Sequence, residues 1–385
     1  MPTNQEIAVR LKSEREKLGL KLQDVASQVG FENYQTLSSI ESGGRKIEAW
    51  ELAKLARIYH RDFDYFLEEE VQQIPTPVFI WREQIAKNPL MEQYFSQYCS
   101  NYEKLEKMIE KRLSKFSPLH LDNDERVNFI SQPPEQIDQM AFDYWKILNL
   151  GGRPACILEE VLEEKLGIKL CYAEDIGGSA CATVTHAFGA GILLNSKNAP
   201  WRRKYDLAHE LFHLITWNIF DPKDICSSLK NGEKSQADQW ADRFASAILL
   251  PSDEVNTEYN KMLQGNPVYL SDIVDLAMKF NVSTKALLWR LVNLARLDRK
   301  KVEALIENPE LTEIDKMKRA VVKEQGRQNL SPRFISLAIR AFQQGKISRG
   351  KLAEYLGIPY SATSEFLLAH GYDENNDYLD EFTTS

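Results

Sequence analysis

Residues 205–215 read YDLAHELFHLI, and this run decides how the rest of the chain is to be read. From Leu207 to Ile215 every residue except His209, Glu210 and His213 is apolar, which predicts a buried helix with three polar side chains set into it. His209 and His213 stand four positions apart, so the two rings lie one above the other on one face. Neutral imidazoles at that separation can hold one Zn2+. Glu210 is one residue on and offset around the helix. Its carboxylate is placed to reach an open metal position, where it could take a proton from water and return one to a leaving amine. The bland alternative is two histidines on a half-exposed face, partnered by Glu210. The apolar surroundings and an acid further along the chain weigh against it.

A structural zinc commonly has four protein ligands, a hydrolytic one three plus water, so a third donor is needed. Residues 235–250, SQADQWADRFASAILL, predict a second helix that Pro251 follows. Asp238 and Asp242 share one face of it. Asp238 is assigned to the metal, and Asp242 lies behind it as the acceptor that orients a ligand histidine. Glu233, just upstream in a loop, is the reserve ligand. For a donor to a developing oxyanion, His186, Tyr172 and Tyr205 are near in sequence, and no spacing singles one out. Cys181 and Cys226 would serve a rival thiol chemistry, but sequence reveals no positioned base for either.

Four stretches carry a resemblance: GILLN at 191–195, WRRKYDLAHELFHLI at 201–215, ADQWADRFASAILLP at 237–251 and MKFNVSTKALLWRLVNL at 278–294. Through them, residues 137–297 resemble the ImmA/IrrE metallopeptidases of the gluzincin-like group. The resemblance implies that His209, His213 and an acid on the following helix bind zinc, with Glu210 as general base. It also implies substrates that are often Xre-type repressors, and GILLN as an edge strand that pairs with substrate, the alternative being an ordinary core strand. The family typically has glutamate as third ligand, and this chain has Asp238. One methylene less requires the two helices to approach more closely.

At the N-terminus, residues 10–59 read RLKSEREKLGLKLQDVASQVGFENYQTLSSIESGGRKIEAWELAKLARIY. Through them, residues 5–67 resemble Xre/Cro-type helix-turn-helix domains of phage-repressor type. LQDVASQVG supplies the helix that crosses the DNA backbone, Gly30 lets the chain turn, and 33–41 supply the helix whose first residues enter the major groove. Ala26, Val29, Leu37 and Ile40 lock the pair. Gln23, Asn33, Tyr34, Gln35 and Ser38 can donate or accept at base edges or phosphates, and Arg45 and Lys46 can clamp phosphate. Residues 1–61 hold ten Lys and Arg against eight Asp and Glu, a surplus of two. So thin a surplus predicts that binding a double-stranded operator needs a homodimer or accessory contacts.

The whole chain, 385 residues with net charge −8, weighs against a general nucleic-acid-coating role and leaves room for one basic face on one domain. Five scattered cysteines without a CxxC pair predict a reducing, cytoplasmic setting. The first residues, MPTNQEIAVRLKSEREK, lack the apolar run of a secretory signal, and no stretch is apolar enough to span a bilayer. The expected fold is mainly α with a small β-sheet (α+β). Its divisions are a five-helix DNA-binding domain at 1–70, a helical linker at 71–130, a zinc peptidase domain at 131–300 and a helical region at 301–385. Residues 78–118 read as helical, with strands at 168–172, 180–185 and 191–195. Within the last division, GKISRGKLAEYLGIP at 345–359 resembles a second helix-turn-helix, with Arg340, Arg349 and Lys351 near phosphate, or else caps the peptidase domain. The tail 373–385 is acidic and predicted to fray.

Overall fold

The computed structural model describes residues 2–69, 77–82, 88–109, 116–222, 224–225, 234–264, 267–320 and 330–372. Glu70 and Pro75 of the linker, Cys226, Glu233 and the tail 373–385 lie outside the described residues. The fold is mainly α, with eighteen α-helices among the described residues and one four-stranded sheet.

The first domain has α1 (Asn4–Lys17), α2 (Leu22–Val29), α3 (Tyr34–Glu41) and α4 (Ala49–Ile58), and a 3-10 turn at Phe63–Phe66 completes five helical elements. Gly30 ends α2 at φ 92°, a left-handed conformation that a side chain would resist. Asn33 then caps α3, its side-chain oxygen accepting from the Thr36 amide. Leu11, Val25, Val29, Leu37, Leu55 and Tyr59 fill the core. A buried fork of Arg15 on Glu41, at 2.7 and 2.9 Å, ties α1 to α3.

Next come β1 (Phe79–Trp81), α5 (Pro89–Ile109), α6 (Asn123–Ile130), α7 (Glu135–Leu148) and α8 (Pro154–Leu166). The sheet continues with β2 (Lys169–Ala173), β3 (Ala180–Thr185) and β4 (Gly189–Asn195). Helices α9 (Pro200–Ile215), α10 (Gln236–Leu249), α11 (Ser252–Leu263), α12 (Leu270–Lys279), α13 (Thr284–Asn293), α14 (Arg299–Glu307) and α15 (Pro309–Ala320) follow. The last three are α16 (Pro332–Gln343), α17 (Arg349–Leu356) and α18 (Thr363–Ala369).

Strand order is β1-β3-β4-β2, with β1 and β4 antiparallel to β3, and β2 parallel to β4. Side chains alternate across it, as the pleat requires. Leu170, Tyr172, Ala182, Ile192 and Leu194 join the core under α9 and α10, while Cys171, Cys181 and Leu193 pack under α5 and α16. Both faces are therefore covered. At Gly191 an added Cβ would come within 2.7 Å of Cys99 Sγ, so glycine is what lets α5 lie this close.

Two expectations need correction. The stretch 78–118 is not helical from its start, because Phe-Ile-Trp at 79–81 forms a strand. These are strong β-formers, but their partner lies about a hundred residues on, beyond any local pattern. GILLN is not an edge strand either. It runs between β3 and β2, and its unbroken apolar composition is that of a strand buried on both faces.

The C-terminal helices share a core with α5 and one face of the sheet. Phe334, Leu337, Ile339 and Leu352 pack with Phe95, Tyr98 and Tyr102 of α5. Lys351 is paired with Glu354 and lies 3.6 Å from Asp62 of the first domain. Arg349 stands over the Tyr360 ring, and Arg340 is exposed.

Candidate metal centre

Helix α9 begins with Pro200 in its first turn, where a missing N–H costs nothing, and runs beneath the sheet. Helix α10 begins at Ser235, whose hydroxyl accepts from the Asp238 amide. The two helices pack against each other, with the small Ala241 and Ala245 fully buried in their shared core. That closeness meets the requirement of a short aspartate ligand.

His209, His213 and Asp238 converge. Their facing donor atoms are Nε2, Nε2 and Oδ1, separated by 3.1 Å between the histidines, 3.3 Å from His213 to Asp238 and 3.8 Å from His209 to Asp238. Bonds of about 2.0–2.1 Å at tetrahedral angles put donor atoms about 3.3 Å apart. The residues thus fit one zinc.

Asp242 lies one turn beyond Asp238, with Oδ1 2.9 Å from His209 Nδ1. An Nδ1–H donated to that carboxylate leaves Nε2 bare toward the centre. The other Asp238 oxygen, Oδ2, accepts from the Ser235 hydroxyl at 2.6 Å, which turns Oδ1 to the histidines. Burial alone would raise the Asp238 carboxyl, but hydrogen bonds from His209, His213 and Ser235 hold it well below the usual range. For Asp242 burial is likewise outweighed, by His209, Arg82 and Lys234. Burial pushes His213 down to about 4, so its ring is neutral, as a ligand must be. Glu210 is fully buried, and neither carboxylate oxygen has a hydrogen-bond partner. Burial lifts it to about 7 against the pull of His209 and Arg82.

Residues 163–292 match the family model described as the IrrE N-terminal-like domain. Residues 11–66 match the helix-turn-helix model, so the two stand in the order the resemblance implied. No curated protein matches the chain. Together they make a DNA-binding regulator with a metallopeptidase-like domain. All three converging side chains fall inside the IrrE-like segment.

Three residues around the IrrE-like centre went unassigned in the sequence. Arg82 reaches from just past β1 to Asp206 Oδ1 at 2.6 Å and Asp242 Oδ1 at 3.1 Å. Asp206, fully buried one turn before Glu210, also pairs with Arg202 at 2.9 Å. Ser235 had a readable signal, the Ser-x-x-Asp spacing of a capping box before an apolar run.

The other named residues are dispersed. Tyr205 spends its hydroxyl on the Asp242 carbonyl at 2.8 Å, Tyr172 sits in the core, and His186 is exposed on the β3–β4 turn. Cys181 is buried opposite Trp81. In the helix-turn-helix domain, Gln23, Asn33, Tyr34, Gln35, Ser38 and Lys46 are exposed. Arg45 forks onto Glu51 at 2.9 and 3.1 Å, so its guanidinium is already engaged. Among the described residues no helix is long and apolar enough to cross a membrane.

Proposed function

We propose that the chain is a zinc-dependent endopeptidase fused to an operator-binding domain, acting inside the cell on a repressor or another regulatory protein. The convergence of His209, His213 and Asp238 at tetrahedral separations, beside a buried and unpartnered Glu210, carries this reading. Zn2+ held there supplies a Lewis acid that polarises a peptide carbonyl and acidifies water. Asp242 keeps His209 in the tautomer that offers Nε2, and Ser235 aims Asp238. Glu210, in a dry setting, holds the proton taken from water and passes it to the leaving amine. We assign residues 1–70 to DNA, with Tyr34, Gln35 and Ser38 of α3 facing the groove and a homodimer reading a two-fold operator. Residues 71–130 link, 131–300 cut and 301–385 cap.

The test incubates zinc-loaded protein with an Xre-type repressor, and with the chain alone to detect self-cleavage. Glu210→Gln should keep one zinc per chain and lose at least a hundredfold in cleavage rate. Wild type cutting no faster than Glu210→Gln would sink the reading. A second reading, a regulator that retains the metal fold as a sensor without cutting, draws on the burial of the site, where no member of the trio exceeds 4 % exposure. Stoichiometric zinc with no cleavage by any variant would select it.

A further inference from the structure

Strand β3 packs on α9, the helix that carries both histidines. Without β1, the outer ladder of β3 would be bare beside the metal centre, and an extended polypeptide adds readily to such an edge. In this chain the position is filled from within. Phe79, Ile80 and Trp81 pair antiparallel with Thr183, Ala182 and Cys181, and the Arg82 amide extends the ladder by donating to the Ala180 carbonyl at 3.1 Å.

We propose that residues 78–82 occupy the strand position a protein substrate would take, so that the chain's own segment closes the metal centre. The inference rests on the peptidase reading and names the regulation of that site. Two anchors support it. Ile80, 1 % exposed, packs with Ile225 and with Ala237, the residue before Asp238. The Arg82 guanidinium ties Asp206 of α9 to Asp242 of α10 and lies over the Tyr205 ring. With the strand seated, Glu210 and the three converging side chains are at most 4 % exposed, and a polypeptide cannot reach them.

The strand also stands between the DNA-binding domain and the helix that holds it. Gln93 of α5 donates to the His60 carbonyl at 2.9 Å, Tyr94 stacks edge-on against His60, and Lys104 pairs with Asp62.

The register supplies the test. Trp81 lies opposite Cys181, and opposite residues in an antiparallel pair have Cα atoms about 4.5–5.5 Å apart, within disulfide reach. In Trp81→Cys, oxidation should lock the strand and lower cleavage of unfolded casein at least tenfold with zinc still bound, and reductant should restore it. Ile80→Asp, which drives a charge into the apolar contact, should raise cleavage at least threefold over wild type. Cross-linked protein cutting as fast as its reduced form overturns the proposal. If no form cuts, the peptidase reading fails, and the strand's place is decided by extraction of zinc with a chelator. Extraction at least tenfold slower from the cross-linked form than from Ile80→Asp upholds it, and equal rates overturn it.

Discussion

Replacing Asp242 by alanine removes the acceptor behind His209 and nothing that faces the metal directly. The contact is a 2.9 Å hydrogen bond between a carboxylate and a ring that is 2 % exposed. Such a charge-assisted bond is worth about 1.5–3 kcal/mol, and Asp242 is partly open to water, so the lower half of that range applies. About 1.5–2.2 kcal/mol corresponds to roughly a ten- to fortyfold weaker hold on zinc, within the range typical of residues that orient metal ligands. Asp242→Asn keeps an acceptor oxygen but leaves Arg82 and Lys234 without the charge they now share, so it should fall between wild type and Asp242→Ala. Competition with a chromogenic chelator at fixed pH measures the affinities, and circular dichroism confirms the fold. An alanine variant that is folded and binds zinc within twofold of wild type would refute the claim that Asp242 orients His209.

Three further outcomes are expected elsewhere in the chain. Burial raises Glu163 to about 7 despite hydrogen bonds from Ser331 and Tyr102. A carboxyl raised on folding contributes stability in full below its unfolded pKa of about 4.5 and loses it as pH climbs through 7, a decline of about 3 kcal/mol for this group. Glu163→Gln should flatten that part of the stability curve, and denaturant melts at pH 5 and pH 8 with equal losses in both proteins would show that Glu163 is not the group responsible. In the DNA-binding domain, Arg45→Ala strands the buried Glu51 and should cost about 1–2 kcal/mol, Arg45 itself being 40 % exposed. Lys46→Ala should leave stability unchanged and reduce the salt slope of operator binding by about one; identical slopes would remove Lys46 from the phosphate contacts.

What was legible in the sequence was local. HELFH on an apolar run, Pro200 and Pro251 at helix boundaries, and two acids four apart on the next helix are all written within a few turns of chain. These features specified two helices and three converging side chains, because helical periodicity turns short spacing into direction. Strand neighbours obey no such rule. β2 and β4 pair directly although β3 intervenes in sequence, so GILLN's apolar run was compatible with a core strand but did not name its neighbours. Arg82 was hidden for the same reason, since Asp206 and Asp242 lie far along the chain and a lone arginine after three apolar residues has no pattern. Glu163 likewise takes its character from Tyr102 of α5 and Ser331 before α16.

One oxygen atom links the strand to the metal. Asp242 Oδ1 receives both His209 Nδ1, at 2.9 Å, and the Arg82 guanidinium, at 3.1 Å. A cation on that oxygen draws electron density from the carboxylate and weakens its support of the imidazole. Seating the strand should therefore lower zinc affinity a few-fold, and linkage demands that zinc loosen the strand by the same factor. Metal loading then primes the opening of the site, and stripping the metal favours closure. Equilibrium zinc titration of Trp81→Cys in its oxidised and reduced forms reads the coupling, with weaker binding expected when the strand is locked. Tighter or equal binding in the locked form would show that the shared oxygen does not transmit between them.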